Sequence, residues 1–428
     1  MQPQYQVELD AYSVPKMELV KEDIDGFMVK LQGFHSEFAD CFERDAARQK
    51  FYQYMVGQFS DLERKSIEPI SFKVDGGKVR NIQRLISDTK WDESLMLSKY
   101  HNMVSSDMGD GDGVLIFDES GFIKKGSDSV AVARQYCGTI GKVDNCQVGV
   151  FTAYASRHGY ALLDKRLFIP EKWFTEDYAD KRAKTGLPDS IGFKTKPQLA
   201  SEMFTEISKA GTIAFKSVVS DTLYGNSPDF IEAVESVIGI TYLVSIPCDT
   251  LLWIDAPVVL KKEYKHKGQK KTKKVVHSGK KPIRVDRFAR ALNACFWYRR
   301  KVSEGTKGAI EYEFTKRRII LSKNGAPYKT VWLLVKRTLE DNPTYYYYMS
   351  NASVSTRLKR FIWLSGIRWA IEQCFGEAKT ELGMDHYEVR KYAGWNHHML
   401  TCLLAHFFLW HLRIILGEKI SVYYSVSD

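Results

Sequence analysis

Apolar positions in the first hundred residues recur at helical spacing. Phe34, Phe38, Cys41 and Phe42 form one such set, and Phe51, Tyr54, Met55 and Phe59 another. Residues 83–86 and 91–100 predict two more short helices, with Asp88 or Thr89 placed to cap the second. Asp75-Gly76-Gly77 reads as a turn, and 105–113, with its glycines and aspartates, as a linker. From Val114 the period changes. Val114, Leu115, Ile116 and Phe117 run without interruption into Asp118, Glu119, Ser120 and Gly121, as in a buried strand leaving the core. Residues 148–155 and 161–169 predict two more strands, joined by glycine turns in an antiparallel order. A helix over 197–209 follows, with Pro197 set for its first turn. A strand over 213–219 then closes on Ser220-Asp221. Ser227-Pro228 opens another helix, and 242–246 is again a strand. Antiparallel strands followed by strand-helix-strand predict an α/β fold with an RNase H-like core behind a helical N-terminal domain.

The second half breaks this order. Residues 249–350 predict a mostly β insertion, with strand-like stretches at 329–337 and 344–349. Within it, 261–281 holds ten lysines against one glutamate, which predicts a solvated, mobile run. Trp297 and Tyr298 have two readings, stacking on exposed bases or packing a sheet. Residues 358–382 predict one helix, with Arg368, Glu372 and Lys379 spaced along nearly one face. A salt-bridged, solvated helix has the same spacing. The tail predicts a last helix over 397–415. Its most apolar part, 399–416, is interrupted by His406, His411 and Arg413, so a buried helix is expected in place of a membrane span. His397-His398 lacks a third zinc ligand at suitable spacing, which favours a structural role. The expected divisions are 1–105 (helical, DNA-binding), 106–248 (first part of the core), 249–350 (insertion) and 351–428 (helical completion of the core).

Composition sharpens this picture in three ways. The 428 residues are 44% hydrophobic, enough for a full core. Lys plus Arg outnumber Asp plus Glu by 62 to 52, a formal charge of +10, which favours a polyanionic partner, nucleic acid or an anionic surface. Arg44, Arg48, Lys50, Arg64, Lys65, Lys78, Arg80 and Arg84 suit either DNA binding or an ordinary solvated helical surface. The seven cysteines are scattered without a Cys-x-x-Cys pair, and no signal peptide is evident, so a reducing cytoplasm is expected.

The candidate chemistry lies in three acids. Asp118 and Asp221 each close an apolar run, and Glu372 sits on a helix. Carboxylates gathered at one sheet edge make a site for hard divalent cations. Single aspartates after strands also serve as turn or cap residues.

Arg368-x-x-x-Glu372-x-x-x-x-x-x-Lys379 resembles the signature helix of IS4-superfamily insertion-sequence transposases. The chain is more closely similar to their IS701-type DDE branch, through 63–69, 85–92, 118–126, 132–136, 144–150, Asp221 with Tyr224-Gly225, 369–383 and His397-His398. The resemblance implies a catalytic, metal-holding triad of Asp118, Asp221 and Glu372. It implies two Mg²⁺ ions, with Mn²⁺ as a substitute, and Arg368, Lys379, Lys124 and Lys125 on DNA phosphates, although Lys124 and Lys125 read equally as a charged turn. The implied partners are double-stranded DNA with terminal inverted repeats and target DNA, with a homodimer in the synaptic complex. The implied setting is the nucleoid of a prokaryotic cytoplasm, with no membrane. One departure stands out: the tyrosine usual three residues before the arginine is Ser365 here. The alternatives to a transposase are a domesticated, non-transposing DNA-binding protein and a DNA endonuclease without strand transfer.

Overall fold

The computed structural model describes residues 26–267, 269–277, 280–305 and 308–425. They fall into two compact units. The larger takes the described residues up to Lys216 and from Trp369 onward, and the smaller is Ser217–Arg368.

The larger unit opens with helices α1 (Phe27–Ser36), α2 (Asp45–Gln58), α3 (Ile67–Lys73), α4 (Val79–Ser87) and α5 (Glu93–Met108). Their apolar stripes form a cluster in which Phe42 and Phe51 each meet Trp91 edge to face. The cap of α5 is Asp92, which accepts from the Leu95 amide at 2.9 Å, and not Asp88 or Thr89. The buried Trp91 ring, donating to the Leu85 carbonyl, holds the chain extended until that point. α5 also runs on through Met108, so only its end meets the glycine-rich turn expected from residue 105.

The strands follow as β1 (Val114–Ile123), β2 (Ala133–Cys137), β3 (Lys142–Ser156) and β4 (Gly159–Phe168). β1, β2 and β4 all pair antiparallel with β3. Residues 146–156 of β3 are buried without alternation, because both faces are covered. On one face lies α7 (Lys196–Ala210), which follows the short α6 (Ala179–Thr185). α7 begins with a capping box between Thr195 and Gln198, with Pro197 in its first turn. Phe204 of α7 meets Phe117 of β1 on this face, and Met203 meets Thr152 of β3. On the other face Phe151 meets Phe122 of β1 and Phe375, which belongs to the C-terminal part of the unit.

The smaller unit contains β5 (Ser217–Ser220), the single turn α8 (Thr222–Gly225), α9 (Pro228–Glu235) and β6 (Thr241–Ser245), with β5 and β6 parallel. β5 is shorter than the apolar run from Ile213 suggested. The insertion supplies β7 (Leu251–Trp253), β8 (Val259–His266), β9 (Gln269–Val276), β10 (Ile283–Arg284), α10 (Val285–Arg290), β11 (Tyr298–Gly305), β12 (Gly308–Lys323), β13 (Ala326–Arg337) and β14 (Tyr345–Ser350). Within this unit the strand order is β10-β7-β12-β13-β14-β6-β5, with β11 on β12. The lysine run is not an irregular loop. It forms the separate two-stranded sheet β8–β9, because Val259 and Leu260 pair with Val276 and Val275 at its base. The unit ends with α11 (Leu358–Ile367).

The larger unit resumes with α12 (Trp369–Leu382) and α13 (Tyr392–Ser425). The single helix expected over 358–382 is therefore two helices meeting at Arg368. Ser365 donates back to the Ile362 carbonyl at 2.7 Å and Gly366, a poor helix former, follows. α13 is longer than the expected 397–415 and, as expected, buried over that stretch. By length and composition its Tyr392–Leu416 stretch could cross a membrane, with a mean hydropathy of 1.7. Trp395, Met399, Leu403 and Phe407 are nevertheless fully buried inside the larger unit. The histidines that interrupt the stretch are paired there, His406 with Glu377 at 2.8 Å and His411 with Asp107 at 2.5 Å. The order along the chain is the one expected: a helical N-terminal region, then a mixed α/β core carrying a β insertion, consistent with an RNase H-like fold.

Candidate active site

In the larger unit, Asp118 and Glu119 stand half-buried in the middle of β1. Adjacent strand residues point to opposite faces. Asp118 lies directly across from Phe151 and so shares the face covered by α12. Glu119 faces α7, where Lys196 reaches it with Nζ 3.0 Å from Oε1. Asp118 Oδ1 accepts from the Glu119 amide at 2.9 Å. Each of the two acids offers a carboxylate oxygen, the two within 4.8 Å of one another. Such hard oxygen donors suit Mg²⁺ or Mn²⁺ and not soft metals.

The rest of β1 is built tightly around this pair. Ser120 is buried, and a Cβ on Gly121 would lie 2.4 Å from Cys137 Sγ, so no larger residue fits there. Lys379, on α12, sets its ammonium 3.2 Å from Thr139 Oγ1 and 3.5 Å from the Gly121 carbonyl, near the Phe122 ring. Burial lowers its pKa. Lys124, just past the strand, donates to the Tyr387 carbonyl at 2.7 Å and lies 3.3 Å from the centre of the Tyr387 ring. Burial pulls Lys124 down to about 8, against the opposing pull of Asp385 and Glu388. Lys125 is exposed. Glu372 lies in the first turn of α12, exposed, where an acid favours the helix dipole.

In the smaller unit, Asp221 follows β5 directly and caps α8, accepting from the amides of Leu223 at 2.9 Å and Tyr224 at 3.4 Å. Arg368 ends α11, half-buried, and its charge acts on the buried Tyr348 phenol, whose pKa burial raises. Trp297 is buried, with the Arg337 guanidinium 4.0 Å from its ring centre, whereas Tyr298 is exposed beside Arg300.

A profile of the family described as DDE superfamily endonuclease matches residues 37–309, more than half of the chain. The chain belongs to the DDE superfamily endonucleases. The matched segment contains both Asp118 and Asp221 and stops short of Glu372. The chain is also 27% identical over 216 residues to the probable transposase for insertion sequence element IS701 of Microchaete diplosiphon. That similarity covers 50% of this chain, which spans about half the length of this curated relative, 52%.

Two residues of this DDE protein's site escaped the sequence reading. Glu119 was legible as the second acid of an Asp-Glu doublet on a strand, yet only the helix packed on its face reveals its role. Lys196 gave no signal, since it lies far along the chain in the first turn of a helix. The His397-His398 pair behaves as expected of structural residues. His398 lies between Tyr54 and the Met384 carbonyl, and burial lowers its pKa to about 3. His397 bonds the Ile86 carbonyl and stacks on Trp91.

Proposed function

We propose that this DDE endonuclease is a transposase that cuts the ends of its own insertion sequence and joins them to target DNA. The observation that carries the reading is the family match across Asp118 and Asp221, together with the carboxylate pair that β1 presents. Asp118, Asp221 and Glu372 would hold two Mg²⁺ ions, or Mn²⁺ in their place. Held by these carboxylates, the ions would supply Lewis-acid activation of a water or 3′-hydroxyl nucleophile and charge stabilisation at the leaving 3′-oxygen. The protein's own cations orient the DNA. Arg368 offers a planar fork to a phosphate, and Lys379 a point charge. Lys124 and Lys125 extend this charge along the duplex. Of the two aromatics in the insertion, Tyr298 has its ring exposed for a base, while Trp297 packs inside the sheet. The partners are double-stranded DNA with terminal inverted repeats and target DNA, held by a homodimer on the nucleoid of a prokaryotic cytoplasm. The helices of 1–105 add DNA contacts.

The test uses a labelled duplex carrying the inverted repeats that flank the gene. Asp118→Asn, Asp221→Asn and Glu372→Gln each abolish Mg²⁺-dependent single-turnover cleavage, while melting temperature and end binding stay at wild-type values. Near wild-type cleavage by any one variant removes that residue from the triad. Cleavage without joining leaves an endonuclease and overturns the transposase reading.

A further inference from the structure

The lysine-rich hairpin has a defined form. β8 and β9 pair over their full eight residues without a bulge, from Val259 opposite Val276 to His266 opposite Gln269. The register sets lysine opposite lysine three times: Lys261 with Lys274, Lys262 with Lys273, and Lys265 with Lys270. Like charges directly opposite in a sheet are destabilising. The tip adds a second cost, because exposed Lys267 has φ 46°, a left-handed conformation that hairpin turns normally give to Gly, Asn or Asp. One ribbon thus gathers like charges at its centre and a cation at its tip, with Glu263 as its single acid. A partner that neutralises these charges offsets the repulsion between them.

The distribution of the charge says which polyanion. Lys262 and Lys271 belong to positions on one face, Lys261 and Lys270 to positions on the other, and all four are exposed. A flat anionic surface meets one face of a ribbon. A groove lined by phosphates on both walls meets two. The major groove, about 12 Å wide, admits a two-stranded ribbon. We infer that β8–β9 is a preformed ribbon that enters a groove of duplex DNA, its lysines reaching the phosphates on either side. This rests on the reading above that duplex DNA is the substrate, and it deepens that reading by naming the element that enters the duplex.

Fluorescence anisotropy with a 30-base-pair duplex of arbitrary sequence, titrated with salt, tests the inference on the full-length protein. The combined Lys261→Gln, Lys262→Gln, Lys270→Gln and Lys271→Gln variant lowers the slope of log affinity against log salt by about 3.6, since each of the four phosphate contacts contributes roughly 0.9. A second variant keeps every lysine but breaks the ribbon: Thr272→Pro with Val275→Pro. Inward and outward amides alternate along a strand, so one of these two prolines removes a ladder donor. It weakens binding at least fivefold, and single-stranded DNA of the same length binds wild type more weakly than duplex. An unchanged slope in the glutamine variant, wild-type binding by the proline variant, or equal affinity for single strands each overturns the ribbon. Asp118→Asn separates the two readings, because it loses cleavage and keeps the full salt slope. Loss of cleavage there alongside an unchanged slope in the glutamine variant overturns the ribbon alone.

Discussion

β3 of the larger unit and the β12–β13 pair of the smaller one are both long antiparallel strands, and they use their faces differently. From Cys146 to Ser156, β3 buries every side chain. β13 buries only part of its length, with Val331, Leu333, Leu334 and Val335 buried while Tyr328 and Thr330 are exposed. Some ionic groups differ in the same sense. In the larger unit Lys165 and His406 are buried with their carboxylate partners beside them. In the smaller unit Arg299 pairs with Glu311 at the surface. The carboxylate pair of β1 therefore rests on a strand that cannot shift without disturbing packing on two sides, while the insertion keeps its cations where solvent and ligand reach them.

The sharpest way to break this comparison is to delete one ring from each region. Phe151→Ala removes a fully buried side chain from the face covered by α12 and costs about 3–5 kcal/mol. Tyr346→Ala, at an exposed position of β14, costs about 0.5 kcal/mol. Urea unfolding followed by far-UV circular dichroism measures both, and equal losses would erase the distinction.

A smaller effect concerns acid. Burial alone would raise the Glu93 carboxyl, but its hydrogen bond to His397 and the charges of His397 and Lys165 hold it at about 2. A carboxyl depressed in the folded state contributes stability that is present above its ordinary value of 4.5 and lost as pH falls through about 2. About a third of this side chain still meets solvent, 35%, so screening trims the contribution to about 1–2 kcal/mol. Glu93→Gln should lose that amount at pH 7 and converge on wild type near pH 2, read from melting temperatures across the range. A constant difference at every pH would mean the loss is packing and not charge.

The smallest effect is at Lys124. With its pKa near 8, its charge is present at pH 7 and largely gone at pH 9. If the ammonium meets a phosphate, duplex affinity falls two- to threefold over that interval, and Lys124→Arg flattens the fall. A flat wild-type profile removes Lys124 from the phosphate contacts and leaves it as the partner of Tyr387.

Much of the larger unit was legible because its strands carry apolar, β-branched and aromatic residues between glycine-containing turns. β1, β3 and β4 all lie close to where the pattern placed them, and α7 starts one residue before its proline. Asp118 and Asp221 likewise stand in and just after buried strands. The hairpin β8–β9 was not legible, because lysine at successive positions hides the alternation that marks a strand. The break at Arg368 was missed because apolar spacing continues across Ser365-Gly366 although the hydrogen-bonded helix stops there. Lys196 was invisible for a third reason: its contact with Glu119 depends on α7 covering one face of β1, which local pattern does not encode.

The register of β1 carries a consequence for how this chain can vary. Ten consecutive residues of β1 pair with β3 without a bulge, from Val114 opposite Ala155 to Ile123 opposite Cys146. Because neighbouring side chains alternate faces, removing a single residue between 114 and 117 would exchange the places of Asp118 and Glu119 while turning Phe117 and Phe122 to the wrong helices. Substitutions along this strand can be graded and repaired one at a time. Deletions and insertions cannot, so descendants of this sequence can change length in the turns on either side of β1 but not within it.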